Sequence, residues 1–490
     1  MQTMPNRVLL PAIAALFLSA CMVGPNYKRP AAPTTPAFKE QPPPDFKEAN
    51  GWKPAQPNDS MLKGKWWEIY NDPALNALEE QVSLSNQNLA QAEATYREAR
   101  AAVLISRAAL FPTVTVGPSI TDSRAGGNTG ASSLSGVRSA FSLPLDASWT
   151  PDLWGSIRRG VTSAAATAQS SVAQLENSRL LFQSELAQDY FQMHGLDGDA
   201  DLLQRTLVSY QDYLTLTQNR KAGGIASDLD VAQAEAQLYA TRTALQDLGV
   251  ERAQLEHAVA VLIGKPPADL SITTLVLKNP PPPIPIGLPS ALLERRPDIA
   301  VNERQMAAAN EQIGIAKAAY YPSLTLGTSL GLENTRITTW FSWPARFFSI
   351  GPTLSETIFD AGRRRAVVVQ TEAAFDATIA AYRQTVLTAF QQVEDNLAAL
   401  RVLAEESITA DQSVTSAERA LTVSEAQYKA GTTSYLTVIT AQATALAAER
   451  TAVDLLTRRL TASVLLVQAL GGGWDSSQLP TQKDVAAKGK

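Results

Sequence analysis

Residues 221–231 read KAGGIASDLDV, and residues 428–438 read YKAGTTSYLTV. Each places a glycine turn, at Gly224 or Gly431, between two long runs of helix-forming residues, and the glycines lie 207 residues apart (431 − 224). The same offset relates Gly155 in DLWGSIRR (152–159) to Gly362 in FDAGRRR (359–365). It also relates Gly264 in VLIGKPP to Gly471 in QALGGGW. Phe111–Pro112 and Tyr321–Pro322 recur at 210 (321 − 111), so the first copy holds three extra residues between this landmark and the first glycine. A hairpin loop in that stretch would tolerate such a length change. A chain written twice in this way predicts two internal structural repeats with the same order of elements.

Outward from the turns lie stretches rich in Ala, Gln, Glu, Leu, Ser and Thr, nearly free of Gly and Pro. They cover 73–110, 157–221, 228–262, 290–319, 364–429 and 436–469. Their apolar positions recur at threes and fours, the period of helix. At about 1.5 Å per residue, 157–221 would run about 100 Å if unbroken. That length exceeds a small globular core and predicts coiled-coil packing, with Ala, Ser and Thr letting helices approach closely.

Four short segments alternate instead. In Ser323–Leu330, Leu324, Leu326 and Leu330 share one face, and Ser323, Thr325, Gly327 and Ser329 share the other. Residues 141–149 set Phe141, Leu143, Leu145 and Trp149 against Ser142, Asp146 and Ser148. Residues 348–358 set Phe348, Ile350, Leu354 and Ile358 against Ser349, Gly351, Thr353, Ser355 and Thr357, and Thr113–Val116 alternates likewise. An apolar face opposite small polar residues is the pattern of a lipid-facing barrel with a wet interior. A soluble sandwich also alternates, but no further strands are left over for a second sheet. Aromatics flank the segments at Trp149, Trp154, Trp340, Phe341 and Trp343. Pro118, Pro144 and Pro352 are expected to mark bends. Four strands cannot close a barrel in lipid, where open edges are not tolerated. Subunits must therefore associate: a dimer supplies eight strands, and a trimer twelve with a lumen.

The first twenty residues read as an export signal, with Arg7 ahead of the apolar VLLPAIAALFLSA. The signal ends in Leu18-Ser19-Ala20-Cys21, which resembles a bacterial lipoprotein cleavage box. Cys21 is the single cysteine, so no intrachain disulfide can form, and the resemblance to a cleavage box makes Cys21 the expected lipidation site. Residue 22 is Met, not the Asp that resembles an inner-membrane retention signal, which favours outer-membrane sorting. Several acyl chains, palmitate among them, would anchor firmly, since single chains hold only marginally.

Composition excludes other classes. Charged residues make up 18% of the chain and the net charge is −5, against the basic stripe that nucleic acid demands. His194 and His257 are the only histidines and lack partners at ligand spacing, so no metal or other cofactor is expected. No nucleophile–base constellation or phosphate loop appears, and the chain does not read as an enzyme. Arg158 and Arg363–Arg365 follow the strands at equivalent points, as headgroup contacts, subunit seams or solvated helix starts. Pro297 reads as the first residue of a helix.

The expected domains are a signal peptide (1–20), a lipidated Pro-rich strap (21–60), repeat 1 (61–279), repeat 2 (280–472) and a flexible tail (473–490). The repeats carry β-hairpins at about 113–149 and 323–358, and helical tips near 224 and 431.

LLERRPDIAVNERQMAAANEQIGIAKAAYYPSLTLGTSLG (292–331) resembles the signature of the TolC-like outer-membrane factors, in the lipoprotein branch serving resistance-nodulation-division pumps. CMVGPNYKRP (21–30), WWEIYNDPALNALEEQ (66–81) and YKAGTTSYLTVITAQ (428–442) support it. The resemblance spans nearly the whole chain after Cys21. It implies a mostly α fold with a small β part, made as a homotrimer with a twelve-stranded outer-membrane barrel. Each subunit gives four strands, and the barrel continues into a long helical tunnel through the periplasm. The implied function is the outer-membrane conduit of a tripartite efflux system. The implied partners are a periplasmic adaptor, an inner-membrane transporter and lipid. Gly224, Ile225, Ala226 and Ser227, with Gly431, Thr432, Thr433 and Ser434, match the hairpin tips that meet the adaptor. Asp230 matches a carboxylate position of the constriction, with Asp228 beside it; both also complement a helix N-terminus. In the second repeat, the sites where some members of the family carry aspartates are Thr437 and Thr440, a departure from the doubly acidic ring. A different class, a lipid-anchored periplasmic coiled-coil scaffold without a pore, would predict no membrane insertion beyond the lipid.

Overall fold

A computed structural model describes residues 22–40, 64–124, 137–284 and 291–487. Cys21 and the signal lie outside the described residues, as does most of the strap after Glu40.

A short 3-10 turn, Trp66–Tyr70, leads into α1 (Pro73–Ser85) and α2 (Gln87–Ala108). The single helix expected over 73–110 is divided at Asn86. Its backbone is extended, and its side chain accepts from Asn88 N and Leu89 N at 2.9 and 3.0 Å, which caps α2. The strands β1 (Thr113–Val116), β2 (Ser119–Ser123) and β3 (Arg138–Trp149) follow. Next come α3 (Ser156–Ala222, 67 residues) and α4 (Asp228–Leu262, 35 residues). The second half runs α5 (Leu292–Arg295), α6 (Pro297–Ala318), β4 (Ser323–Asn334), β5 (Arg346–Ser355), α7 (Arg363–Lys429), α8 (Tyr435–Ala469) and α9 (Gln482–Ala486). The helix expected over 290–319 is likewise split, at Arg296, because Pro297 cannot continue a preceding turn. α6, α7 and α8 contain 22, 67 and 35 residues, matching α2, α3 and α4.

The glycine landmarks have one shared cause. Gly155 and Gly362 open α3 and α7 at φ +83° and +86°, and Gly224 and Gly431 sit in the turns at +73° and +77°. Gly264 and Gly471 close α4 and α8 at +69° and +96°. All occupy the left-handed region that only glycine enters freely. Two further glycines serve packing. A Cβ on Gly195 would lie 2.3 Å from Thr457 Oγ1, and one on Gly198 3.2 Å from Val453 Cγ1, so α3 and α8 can come close there.

Helix α3 packs against α4, α6, α2 and α8, and α7 against α8 and α6. The main core gathers Leu186, Tyr190, Met193, Leu397 and Leu466 with Trp66 of the leading turn. Residues 22–40 carry no helix or strand; residues 22–24 sit at the start of α3, and the rest runs along the second half. Tyr27 OH donates to Glu303 Oε1 at 2.8 Å, and Glu394 accepts from Lys39 N and Glu40 N at 2.7 and 2.8 Å.

One antiparallel sheet forms, in the order β1-β3-β4-β5, with β2 also on β3. The first expected strand is therefore longer than Thr113–Val116. It is interrupted at Gly117–Pro118 and resumes in the same register on β3. Pro118 marks a break as expected, but Pro144 and Pro352 lie inside continuous strands. Pro144 faces Gly331, where a Cβ would come 2.2 Å from Leu143 O, so the missing side chain allows the close approach. β5 ends at Ser355, short of the expected 358.

The residues after Trp474 do not form the expected flexible tail as far as Ala487. Ser476–Gln478 makes a 3-10 turn, and Thr481 and Asp484 form a capping box that starts α9. Val485, 1% exposed, packs against Val103, Ala165 and Ala168.

Candidate functional site

The two helical turns stand side by side at one end of the helices. Arg220, two residues before the end of α3, donates from Nη1 to Tyr428 O at 2.7 Å, and its guanidinium lies 4.4 Å from the Tyr428 ring centre. A Cβ on Gly431 would lie 4.0 Å from Arg220 Nη2. Below the turns the Tyr428 and Tyr435 rings meet at a tilt of 46° with centres 5.3 Å apart, joined by Tyr210, Tyr213, Leu214 and Val438. Burial, then the neighbouring Tyr428 and Tyr210 phenols and the Asp230 carboxylate, push the Tyr435 hydroxyl up to about 12. Burial and a hydrogen bond to Glu425 push Tyr213 upward as well.

The first turn is built by glycine and a capping box. Ile225 N and Ala226 N donate back to Arg220 O, closing the C-terminus of α3, and Ile225 is 73% exposed. Asp230 Oδ2 accepts from Ser227 N and Ser227 Oγ, both at 2.8 Å, while Asp230 N donates to Ser227 Oγ. Asp228 pairs with Lys221 across the turn. In the second turn, Thr432 donates to Gln427 O through both its N–H, at 2.9 Å, and its hydroxyl, at 3.0 Å. Ser434 precedes α8 without a side-chain cap, and Thr433 Oγ1 donates to Thr437 Oγ1 at 3.1 Å. Thr437 and Thr440 line a groove of about 780 Å³ between α7 and α8, with Arg419, Val423, Gln427 and Leu436.

The structure thus brings both predicted turns together. It also accounts for Asp228 and Asp230 as partners of Lys221 and Ser227. Arg220, Tyr428 and Tyr435 were missed by sequence reasoning, although YKAG and SYLTV carry both tyrosines. The signal was an aromatic on each side of the second turn, paired to a cation seven residues before the end of the first.

At the opposite end the sheet shows two faces. Val114, Val116, Ile120, Leu145, Leu326, Leu330, Phe348, Ile350 and Leu354 are exposed on one. Register places Thr115, Asp146, Ser329 and Ser349 in one row on the other. Both helix starts beside the sheet are capped alike. Asp152 accepts from Ile157 N and Arg158 N, and Asp360 from Gly362 N and Arg364 N. Arg158 and Arg364 close back onto these carboxylates at 3.1 and 2.8 Å, so both are helix-start braces. Met22, next to Cys21, packs where a Cβ on Gly155 would meet its Cγ at 2.8 Å, and Val23 N donates to Trp154 O at 3.1 Å. Among the described residues no helix is long and apolar enough to cross a membrane, and no cluster of metal-ligating groups occurs.

The family described as outer membrane efflux protein matches this chain twice, over residues 78–265 and 288–472. A probable efflux pump outer membrane protein, TtgC of Pseudomonas putida, is 30% identical over 482 residues, covering 96% of each chain. The pyoverdine export outer membrane protein OpmQ of Pseudomonas aeruginosa is 34% identical over 421 residues, 84% of this chain and 88% of OpmQ. Among solved structures, the outer-membrane channel OprN is similar at 30% identity with a TM-score of 0.84, over 93% of this chain and 100% of OprN. The Neisseria gonorrhoeae MtrE outer membrane channel, in its open state, is similar at 26% identity with a TM-score of 0.78, over 93% of this chain and 99% of MtrE.

Proposed function

The chain belongs to the outer membrane efflux protein family, and on that premise we propose that three copies close one barrel and form the passive outer-membrane conduit of a tripartite efflux pump. The family is one of transport conduits. The observation that carries the trimer is the sheet itself. Its exposed apolar face belongs in lipid, yet β1 with β2 at one end and β5 at the other leave unpaired edges. Lipid offers no hydrogen bonds to an open edge. Pairing β5 of one copy with β1 and β2 of the next removes both edges. Three subunits, each giving four strand paths, then make a twelve-stranded barrel with a lumen.

Two repeats, 61–279 and 280–472, give each subunit one β-hairpin and one helical hairpin. The equal lengths of α2 and α6, α3 and α7, and α4 and α8 support that division. The helices extend the lumen into the periplasm. Cys21 carries the lipid anchor, and the next residue, Met22, packs against Gly155 at the start of α3. Solutes enter from an adaptor and an inner-membrane transporter and diffuse outward past Ser, Thr and Gly side chains, with no energy supplied by this chain.

The turns Gly224–Ser227 and Gly431–Ser434 are assigned to the adaptor. Their glycines leave backbone uncovered, and exposed Ile225 offers an apolar contact. The first turns of α4 and α8, with Asp228, Asp230, Thr437 and Thr440, are assigned to the constriction. Lys221 offsets Asp228, whereas Asp230 caps α4 through Ser227 and keeps its charge, so the charge of the constriction comes chiefly from Asp230.

Single-channel recording of the lipidated protein in a planar bilayer, with its mass determined in detergent, tests this reading. A trimer mass with discrete conductance steps is expected. A monomer without conductance would leave the strands unclosed and point to an anchored scaffold instead.

A further inference from the structure

In mid-strand, the polar face of the sheet carries a charge that nothing beside it offsets. Asp146 sits in mid-strand on β3, opposite Thr115 on β1 and Ser329 on β4, and Ser329 is opposite Ser349 on β5. The whole row is otherwise neutral hydroxyl. Asp146 is half-buried and has no side-chain hydrogen bond or ion pair among the described residues. The other charged strand residues on this face are Glu333, opposite Ser142, and Arg138, opposite Ser123. At about 3.4 Å per residue, the Glu333 row lies about 14 Å from the Asp146 row and Arg138 about 27 Å away. Screening at 0.1–0.15 M salt acts over about 8–10 Å. Arg138 therefore cannot neutralise Asp146, and Glu333 adds charge of the same sign nearer the hairpin loops.

The helical tips differ. Asp228 is paired with Lys221, Asp230 caps its own helix through Ser227, and the equivalent positions of the second repeat are the uncharged Tyr435 and Thr437, so each subunit brings one unpaired carboxylate there.

We propose that Asp146 sets the charge preference of the conduit: three copies form an acidic ring midway along the barrel that passes cationic solutes more readily than anionic ones. This rests on the trimeric barrel proposed above. A polar lumen within low-dielectric walls focuses the field of such a ring and raises the local concentration of cations.

The test is the reversal potential of the full lipidated chain in a planar bilayer under a potassium chloride gradient, with the mass of each variant determined in detergent. The wild-type trimer is expected to prefer potassium. Asp146→Asn and Asp146→Ser, which continue the neutral row, should lower the cation-to-anion permeability ratio at least about threefold, the effect of one unit charge about 6 Å away in water. Asp146→Lys should invert the preference. Asp230→Asn, at the assigned constriction, should lower the ratio less than the Asp146 variants do. Trimers that conduct with an unaltered ratio in the Asp146 variants, or a ratio lost in Asp230→Asn alone, would overturn the assignment while leaving the conduit intact. Absence of both trimer and conductance in the wild type would overturn the barrel reading and the ring with it.

Discussion

Arg159 Nη1 donates to Glu311 Oε2 at 2.7 Å, joining the first turn of α3 to α6 across the two repeats, with both side chains buried. The same guanidinium donates from Nε to Val23 O at 2.7 Å and from Nη2 to Gly24 O at 3.1 Å. It thus fastens the residues that follow Cys21. Glycine makes room for it: a Cβ on Gly314 would sit 2.2 Å from Arg159 Cδ, and one on Gly24 would sit 2.5 Å from Gly314 Cα.

Removing one member of that pair strands a buried charge. Arg159→Ala is expected to destabilise the protein by about 3–5 kcal/mol. Arg159→Lys should recover only part of the loss, because an ammonium lacks the planar fork that serves three acceptors. Thermal unfolding in detergent measures both, and limited trypsin digestion should cut sooner at Lys28. An unchanged melting curve for Arg159→Ala would refute the role.

Gly264 and Gly471 end the equivalent helices α4 and α8 under the same constraint. A Cβ would lie 2.1 Å from Ser85 O at the first and 2.1 Å from Arg295 O at the second. Each alanine substitution should cost more than the about 1–2 kcal/mol of a left-handed non-glycine residue, since backbone must also move. Gly160→Ala, which meets nothing within 4 Å and sits in the second turn of α3, should be neutral or slightly stabilising. Equal melting temperatures for all three variants would contradict the geometry.

The contact of Arg220 with Tyr428 predicts a local effect. Arg220→Ala removes a charged hydrogen bond and a cation–ring contact, together about 2–3 kcal/mol of local stability. Amide exchange in 222–230 and 428–436 should accelerate about thirtyfold or more, while exchange in the main core stays unchanged. Exchange that rises equally everywhere would show a general destabilisation instead.

Asp189 gives a pH dependence with a definite sign. Burial, then the nearby Glu185 carboxylate, push its carboxyl up to about 6 from the ordinary 3.8. The folded state therefore holds this proton more tightly than the unfolded chain does. The stabilisation is full below about pH 4 and is lost as the pH rises through 6. Asp189→Asn should melt with the wild type at pH 4 and above it at pH 7. Curves that coincide at both pH values would refute the assignment.

Much was legible in the sequence because its causes are local or periodic. The left-handed positions at Gly155, Gly224 and Gly264 and their partners announce themselves, since one residue type alone takes them without strain. The helix lengths follow from runs without breakers, and the strand faces from alternation. Asn86 and Arg296 went unread because a cap depends on where the next turn begins. The tail went unread because Val485 finds its pocket only after α2 and α3 have come together.

By itself, then, the order of residues determined the doubling, the long helical hairpins, the two-faced strands and the family, all properties of spacing along the chain. Tertiary structure alone decided that Arg159 meets Glu311 across 152 positions, that Arg220 closes one turn onto Tyr428 of the other, and that Asp146 stands in a row of neutral hydroxyls contributed by three other strands. These depend on which surfaces two similar halves turn toward each other. That choice is made by shape and charge complementarity in three dimensions, and no period in the sequence encodes it.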